Sequence, residues 1–251
     1  MGVVRDWELV RHAPHPALCG AVTEYLGYRE RIDGTLRRRE LPAPRVTVIL
    51  NLGAPLRIGG ASTADALTTQ AESFIAGLHT SYSLVETVGE GAGIEISLTP
   101  LAARRFLGAP LSALADRVVS LDDVLGPRGR AALARIREAP SWEARFALLD
   151  MALRARLDRA AATPTAVTHA WRRLTTRDAR PSIRAIATEL GWSEKRLVGA
   201  FRDQIGLAPK QVSRLVRFQH AVTALTRPGA RLTAVARRFC PMPRTIPVIA
   251  R

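Results

Sequence analysis

The sequence predicts an α+β chain: a β-rich, barrel- or sandwich-like N-terminal domain with helices after it, then an all-α unit. Three observations carry this expectation. Between about Glu24 and Leu98, short and often alternating apolar runs are separated by Gly, Pro, Ser or Asp, which is strand punctuation. After Pro100 the apolar spacing turns helical. The charge is also divided unevenly: residues 1–162 hold 20 Lys+Arg against 18 Asp+Glu, a net of +2, whereas residues 163–251 hold 17 against 4, a net of +13. The boundary is placed in "AAATPT" at 160–165, giving an N-terminal domain over 1–162 and a C-terminal one over 163–251.

The expected strands, in order, are "EYLGYRER", "GTLRRREL", "RVTVILNL", "PLRIGG", "SFIAGLHT" and "GIEISL". Several short strands in so small a span suggest a barrel or sandwich. "GEGAG" at 89–93 reads as a tight turn, because it precedes a strand instead of opening a helix as a phosphate loop would. "RRR" at 37–39 reads as the solvated face of a strand. Trp142, Phe146, Leu149, Leu153 and Leu157 recur at helical spacing behind the cap Ser141, as a core stripe or, alternatively, a dimer seam. Thr163 and Pro164 form a cap and first-turn pair for the next helix.

Further on, Ser182 caps a helix bearing Ile183, Ile186, Ala187 and Leu190, and Gly191 stops it. Ser193 caps a second helix with Leu197, Ala200, Phe201 and Ile205 on its inner side, ended by Gly206. Pro209 opens a longer helix, which Pro228-Gly229 breaks, and Leu232, Val235 and Ala236 begin another.

Composition excludes several function classes. The longest strongly apolar run, Val46 to Leu50, is far short of the roughly 20 residues of a membrane span. The first residues lack a signal-peptide core, and Cys19 and Cys240 match no disulfide or zinc spacing, so a cytoplasmic location is expected. No nucleophile elbow, zinc-protease helix motif or Walker sequence is present, which predicts neither an enzyme nor a cofactor. His79 reads as structural or solvated, and a His12–His15 pair as a weak metal candidate.

The hairpin at 182–205 carries the functional expectation. A helix-turn-helix needs a small residue at the crossing, a glycine turn and a capped second helix with a free outer face. Ala187, Gly191 and Ser193 occur in that order. Helical geometry puts Glu194, Lys195, Val198, Gly199 and Arg202 outside, with Arg196 beside them. A plain helical corner would show the same spacing, but the +13 charge of this segment favours a polyanion.

"SIRAIATELGWSEKRLVGAFRDQIGLAPKQVSRLVRFQHA" resembles the first helix-turn-helix of AraC-type transcriptional regulators, through Ala187, Gly191, Ser193, Leu197, Phe201, Gly206, Pro209 and Arg217. "GAGIEISLTPLAARRFLGAPLSALADRVVSLDDVLG" is similar to the end of the sensor domain in a subgroup of these regulators, so the resemblance spans roughly 15–240. It implies a regulatory β-domain, which could take a small-molecule effector, and two helix-turn-helix motifs joined by a long helix, here 209–225. The candidate DNA-binding residues are then Ser193, Glu194, Lys195, Arg196, Val198, Gly199, Arg202, Lys210 and Arg217. Two departures stand out. Gly199-Ala200 occupies the place where the family often has a guanine-reading arginine. The second motif has an entry helix, Leu232 to Phe239, then Cys240 for a turn glycine and three prolines in "PMPRTIPVIAR", so it reads as truncated. The expected partners are double-stranded DNA, a small-molecule effector and a second copy in a homodimer, with no membrane. The rival reading is a small-molecule-binding protein whose DNA-binding unit has degenerated.

Overall fold

The computed structural model describes residues 3–60, 67, 69–176 and 181–228. Its strands are β1 (Val3–His12), β2 (Val22–Glu40), β3 (Val46–Asn51), β4 (Leu56–Gly60), β5 (Thr69–Ala71), β6 (Phe74–Ala76), β7 (Ser83–Leu98) and β8 (Val118–Ser120). They form one antiparallel sheet in the order β1-β2-β7-β3-β6-β8, with β4 paired to β7 and β5 to β4. The helices are α1 (Pro100–Leu107), α2 (Leu121–Val124), α3 (Pro127–Glu138), α4 (Trp142–Leu157), α5 (Thr165–Thr175), α6 (Ile183–Glu189), α7 (Glu194–Ile205) and α8 (Pro209–Leu225). The chain is α+β. Among the described residues no helix is long and apolar enough to cross a membrane.

Strand alternation gives the sheet two different faces. Val46, Val48 and Leu50 of β3, with Ile94, Ile96 and Leu98 of β7, face the helices and are buried. The residues between them, Thr47, Ile49 and Glu95, line an open cup of about 590 Å³ on the other face. β1, which the sequence reading missed, supplies the cup rim with Trp7 and Leu9, and Trp7 is 67% exposed. An exposed edge strand carries little alternation of burial to read from sequence.

Two expected strands and the expected turn at 89–93 are corrected. "EYLGYRER" and "GTLRRREL" belong to the single strand β2, and "GEGAG" lies inside β7. The two strands bend together where Arg31 pairs Glu90 and Thr35 pairs Val88, with Gly34 (φ +80°) and Gly89 (φ +71°) at the irregularity. Positive φ is costly for other residues, so these glycines mark a bulge in continuous strands. In the Arg37–Arg39 run of β2, Arg37 and Arg39 are exposed as expected and Arg38 is half-buried. Arg37 and Arg57 both donate to Glu86 at 2.7 and 2.5 Å, and Arg38 holds Glu30 through two bonds of 2.7 and 2.6 Å. Arg39 lies 5.4 Å over the Tyr82 ring.

Glu86 is 2% exposed, and the hydrogen bond from Arg37, with the charge of Arg57, holds its pKa below the usual carboxylate range. A depressed folded-state pKa adds stability above the unfolded value and loses it as pH falls through the folded one. Glu86→Gln is therefore expected to destabilise the chain by about 1–3 kcal/mol at neutral pH. The gap between variant and wild type should close as pH drops below about 4.3, the ordinary glutamate value. Urea midpoints at several pH values measure it, and a gap independent of pH would refute the ionic origin.

On the helical face, Trp142, Phe146, Leu149, Leu153 and Leu157 of α4 are all buried in the apolar cluster that the helices share with the sheet, so the stripe is core and offers no dimer seam. Burying such a side chain is worth roughly 1.5–3 kcal/mol. Asp150 on α4 accepts from the Tyr25 hydroxyl at 2.9 Å and from the His15 amide at 3.1 Å, tying helix to sheet. His12 stacks on Phe146 at 4.7 Å, whereas the His15 ring caps the turn at Pro16–Leu18, so the two imidazoles have separate structural uses. His79 Nδ1 lies 2.7 Å from the Gly77 carbonyl oxygen. Among the described residues no three His, Cys, Asp or Glu side chains are grouped to hold a metal. α5 begins at Thr165 behind Pro164 without a side-chain cap, so Thr163 does not play the expected capping role.

Candidate nucleic-acid interface

The α6–α7 hairpin is built as its punctuation dictates. Ser182 Oγ accepts from the Ala185 amide at 3.0 Å and opens α6. Gly191, at φ +63°, turns the chain out of α6, and the Trp192 amide closes the end on the Ala187 carbonyl at 2.9 Å. Ser193 Oγ accepts from the Arg196 amide at 3.2 Å and starts α7, which ends at Gly206 with φ +96°. Ala187, Leu197, Phe201 and Ile205 are buried between the helices. α5 braces the pair: Arg173 meets Glu189 at 2.9 Å and His169 meets it at 3.2 Å.

The candidate residues fall into three groups. Ser193 is the cap. Glu194, Lys195, Arg196, Gly199 and Arg202 are exposed along α7, and Val198 is half-buried beside them. Lys210 is exposed and Arg217 half-buried, both on α8. Arg196 lies 4.3 Å over the Trp192 ring, which fixes its guanidinium near the turn. Trp192 was missed in the sequence, although an apolar residue just before a Ser cap is a recognisable staple position. Lys195, Arg202 and Lys210 have no carboxylate partner among the described residues, while Glu189 and Asp203 are paired. Lys210 stands in the first turn of α8, the end of a helix that disfavours a cation and attracts anions. The space beside Gly199 is open, and a Cβ placed there would meet no atom within 4 Å.

The other end of α7 is docked, not free. Arg104 of α1 reaches Asp203 at 3.5 Å. Gly206 sits so close to the turn at Leu111–Leu114 that a Cβ there would lie 3.0 Å from the Leu111 carbonyl oxygen. Leu111, Ile205 and Leu207 belong to one apolar cluster with the sheet and α4. No sequence pattern announced this seat. The entry helix at 232–239, Cys240 and the proline-rich end lie outside the described residues.

Residues 10–120 match the model of a family described as a domain of unknown function, DUF6597. No curated protein matches the chain. Among solved structures it is similar to apo ToxT from Vibrio cholerae, at TM-score 0.43 and 10% identity over 86% of this chain and 88% of that one. It is also similar to the AraC-like transcriptional activator CuxR, at TM-score 0.36 and 14% identity over 88% and 81%. A further likeness is to Vibrio cholerae ToxT with unsaturated fatty acid bound, at TM-score 0.42 and 7% identity over 90% and 87%. Likenesses this distant assign no role to any residue, and the family model stops at Ser120, before the helices that carry the candidate interface.

Proposed function

We propose that the chain is a sequence-specific DNA-binding transcriptional regulator, with residues 1–162 as its regulatory domain and 163–251 as its DNA-binding domain. In this reading α7 enters the major groove of double-stranded DNA. One observation carries it: a capped second helix, set by a glycine turn, presents on an exposed face cations that have no carboxylate partner among the described residues. Lys195 sits in the first turn of α7, where a side chain reaches base edges. Arg202 and Lys210 hold phosphates, Lys210 together with the N-terminal amides of α8. Arg217 on α8 is assigned to the backbone as well.

Binding measured across salt concentrations tests these roles together. Arg202→Ala and Lys210→Ala are each expected to lower the log–log salt slope by about 0.9 and to weaken all sequences alike. Lys195→Ala is expected instead to relax preference at one or two base positions, at a cost of about 1–3 kcal/mol on the preferred site. Selection from random duplexes supplies that site. Unchanged slopes, together with equal losses for Lys195→Ala on selected and random DNA, would refute the assignment.

A second reading has its own support. The open space at Gly199 and the stacking of Arg196 on Trp192 leave fewer side chains to read bases, as in a small-molecule-binding protein with a degenerate DNA-binding unit. A preference for selected over bulk DNA of roughly 10³-fold or more favours the regulator, and no preference favours the rival.

A further inference from the structure

We propose that the outer edge of β1 is a homodimer interface, where two copies of the chain join their sheets by antiparallel β1–β1 pairing centred on Leu9. The inference goes beyond the regulator reading, does not rest on it, and is tested without DNA.

β1 ends the strand order, and among the described residues its outer edge pairs with no strand. Such an edge offers a row of free N–H and C=O groups, which folded proteins blunt with bulges, prolines, lysines or a covering segment. β1 carries one such device, the register shift between Val4 and Asp6. From Asp6 to His12 it runs in unbroken register along β2, with neither proline nor lysine. On this stretch Trp7 is 67% and Leu9 42% exposed. A lone exposed apolar side chain is ordinary, but here two stand at successive positions on one face of an open edge.

A foreign extended peptide would satisfy the backbone equally well. The order of charges points to a second copy instead. The acids Asp6 and Glu8 come first in the strand, and the basic residues Arg11 and His12 come last. Antiparallel pairing of the strand with itself therefore sets its acidic half against its basic half.

The two faces then fix the register. Trp7 and Leu9 line the cup, while Val10 packs against the helical side and His12 stacks on Phe146 there. A two-fold axis normal to the sheet keeps each face on its own side, so opposed residues must come from the same face. Centring on Trp7 sets Asp6 against Glu8 of the second copy, and centring on Glu8 sets that carboxylate against itself. Like charges directly opposite destabilise a sheet. Centring on Val10 leaves Trp7 opposite Ala13, beyond the end of the strand. Centring on Leu9 has none of these faults: Leu9 meets Leu9, Trp7 meets Arg11, Glu8 meets Val10 and Asp6 meets His12. Both Trp7 side chains then stand diagonally beside the Leu9 pair, so the four apolar groups cover one another. Arg11, which is ion-paired with Glu24, can lay its guanidinium over the indole of the second copy.

Sedimentation velocity of the full chain over a range of concentrations tests the interface. A concentration-dependent dimer is expected, at the weak end of specific association because the paired segment is short. Leu9→Lys sets two ammonium groups against each other and should raise the dimer dissociation constant about tenfold or more. Trp7→Ala enters the interface twice and should raise it about tenfold. Both side chains are exposed in the single chain, so circular dichroism should show each variant folded. Cross-linking in a Cys19→Ser, Cys240→Ser background reads the register. Leu9→Cys should oxidise to a disulfide-linked dimer, since directly opposed Cβ atoms lie about 4.5–5.5 Å apart. A disulfide formed by Glu8→Cys and not by Leu9→Cys would overturn the register. A dimer unmoved by Leu9→Lys and Trp7→Ala would overturn the interface by placing the contact on another surface. A monomer at every concentration would overturn it too, and leave the edge to a foreign peptide.

Discussion

Replacing Phe201 by alanine is expected to cost about 3–5 kcal/mol and to abolish DNA retention. Phe201 is fully buried on the inner face of α7, in the same apolar cluster as Leu197 and Ile205. Its ring fills the space where α7 meets the neighbouring helices, so truncation leaves a cavity as well as forfeiting transfer energy. The helix it positions carries Lys195 and Arg202 on the opposite face, and a shift in its axis misplaces both. Phe201→Leu keeps most of the volume and should cost less than about 1.5 kcal/mol, with partial DNA binding retained. Denaturant unfolding beside DNA retention measures both effects. A loss below about 1 kcal/mol for the alanine variant would mean that the hairpin is not held by this packing.

Gly77→Ala is expected to destabilise the whole chain by about 3 kcal/mol, the upper part of the usual overpacking range. A Cβ at Gly77 would lie 2.0 Å from the Leu114 carbonyl oxygen and 2.6 Å from its carbon. Backbone meets backbone there, so no rotamer change relieves the clash. The segment it would push is firmly fastened: the Gly77 amide donates to the Arg117 carbonyl at 3.2 Å and the Asp116 amide to the Leu78 carbonyl at 3.0 Å. Asp116 itself has φ +54°, and its carboxylate accepts from the Thr80 amide at 2.7 Å and the Thr80 hydroxyl at 3.0 Å. The same segment presents the Leu111 carbonyl to Gly206. Hydrogen exchange should therefore rise at 77–80 and 111–117, and also at 203–207 at the end of α7. A normal melting midpoint for this variant would contradict the close approach, and exchange confined to 77–80 would contradict the coupling to α7.

Much of the candidate interface was legible because its determinants are local. A serine that bonds an amide three residues on, and a glycine that takes positive φ, act within one turn of chain, so Ser182, Gly191, Ser193 and Gly206 could be placed without any tertiary contact. The α4 stripe was legible for the same reason, since its period survives in sequence whatever it packs on. Trp192 needed only the staple rule, but its stacking with Arg196 had to be seen in space.

By itself, then, the sequence determined the α+β order, the helix limits from α6 to α8 and the outward face of α7. Tertiary structure alone decided the rest. Gly34 and Gly89 look like turn residues in isolation, and only the pairing of β2 with β7 makes them a bulge in long strands. Arg37 and Arg57 find Glu86 across three strands, a meeting that no local pattern encodes. Likewise, the seat of α7 on α1 and the open cup join side chains from distant parts of the chain. Caps and periodicity depend on backbone geometry within a few residues, whereas ion pairs, close approaches and cavities depend on how separate elements pack, and packing is decided only when the whole core closes.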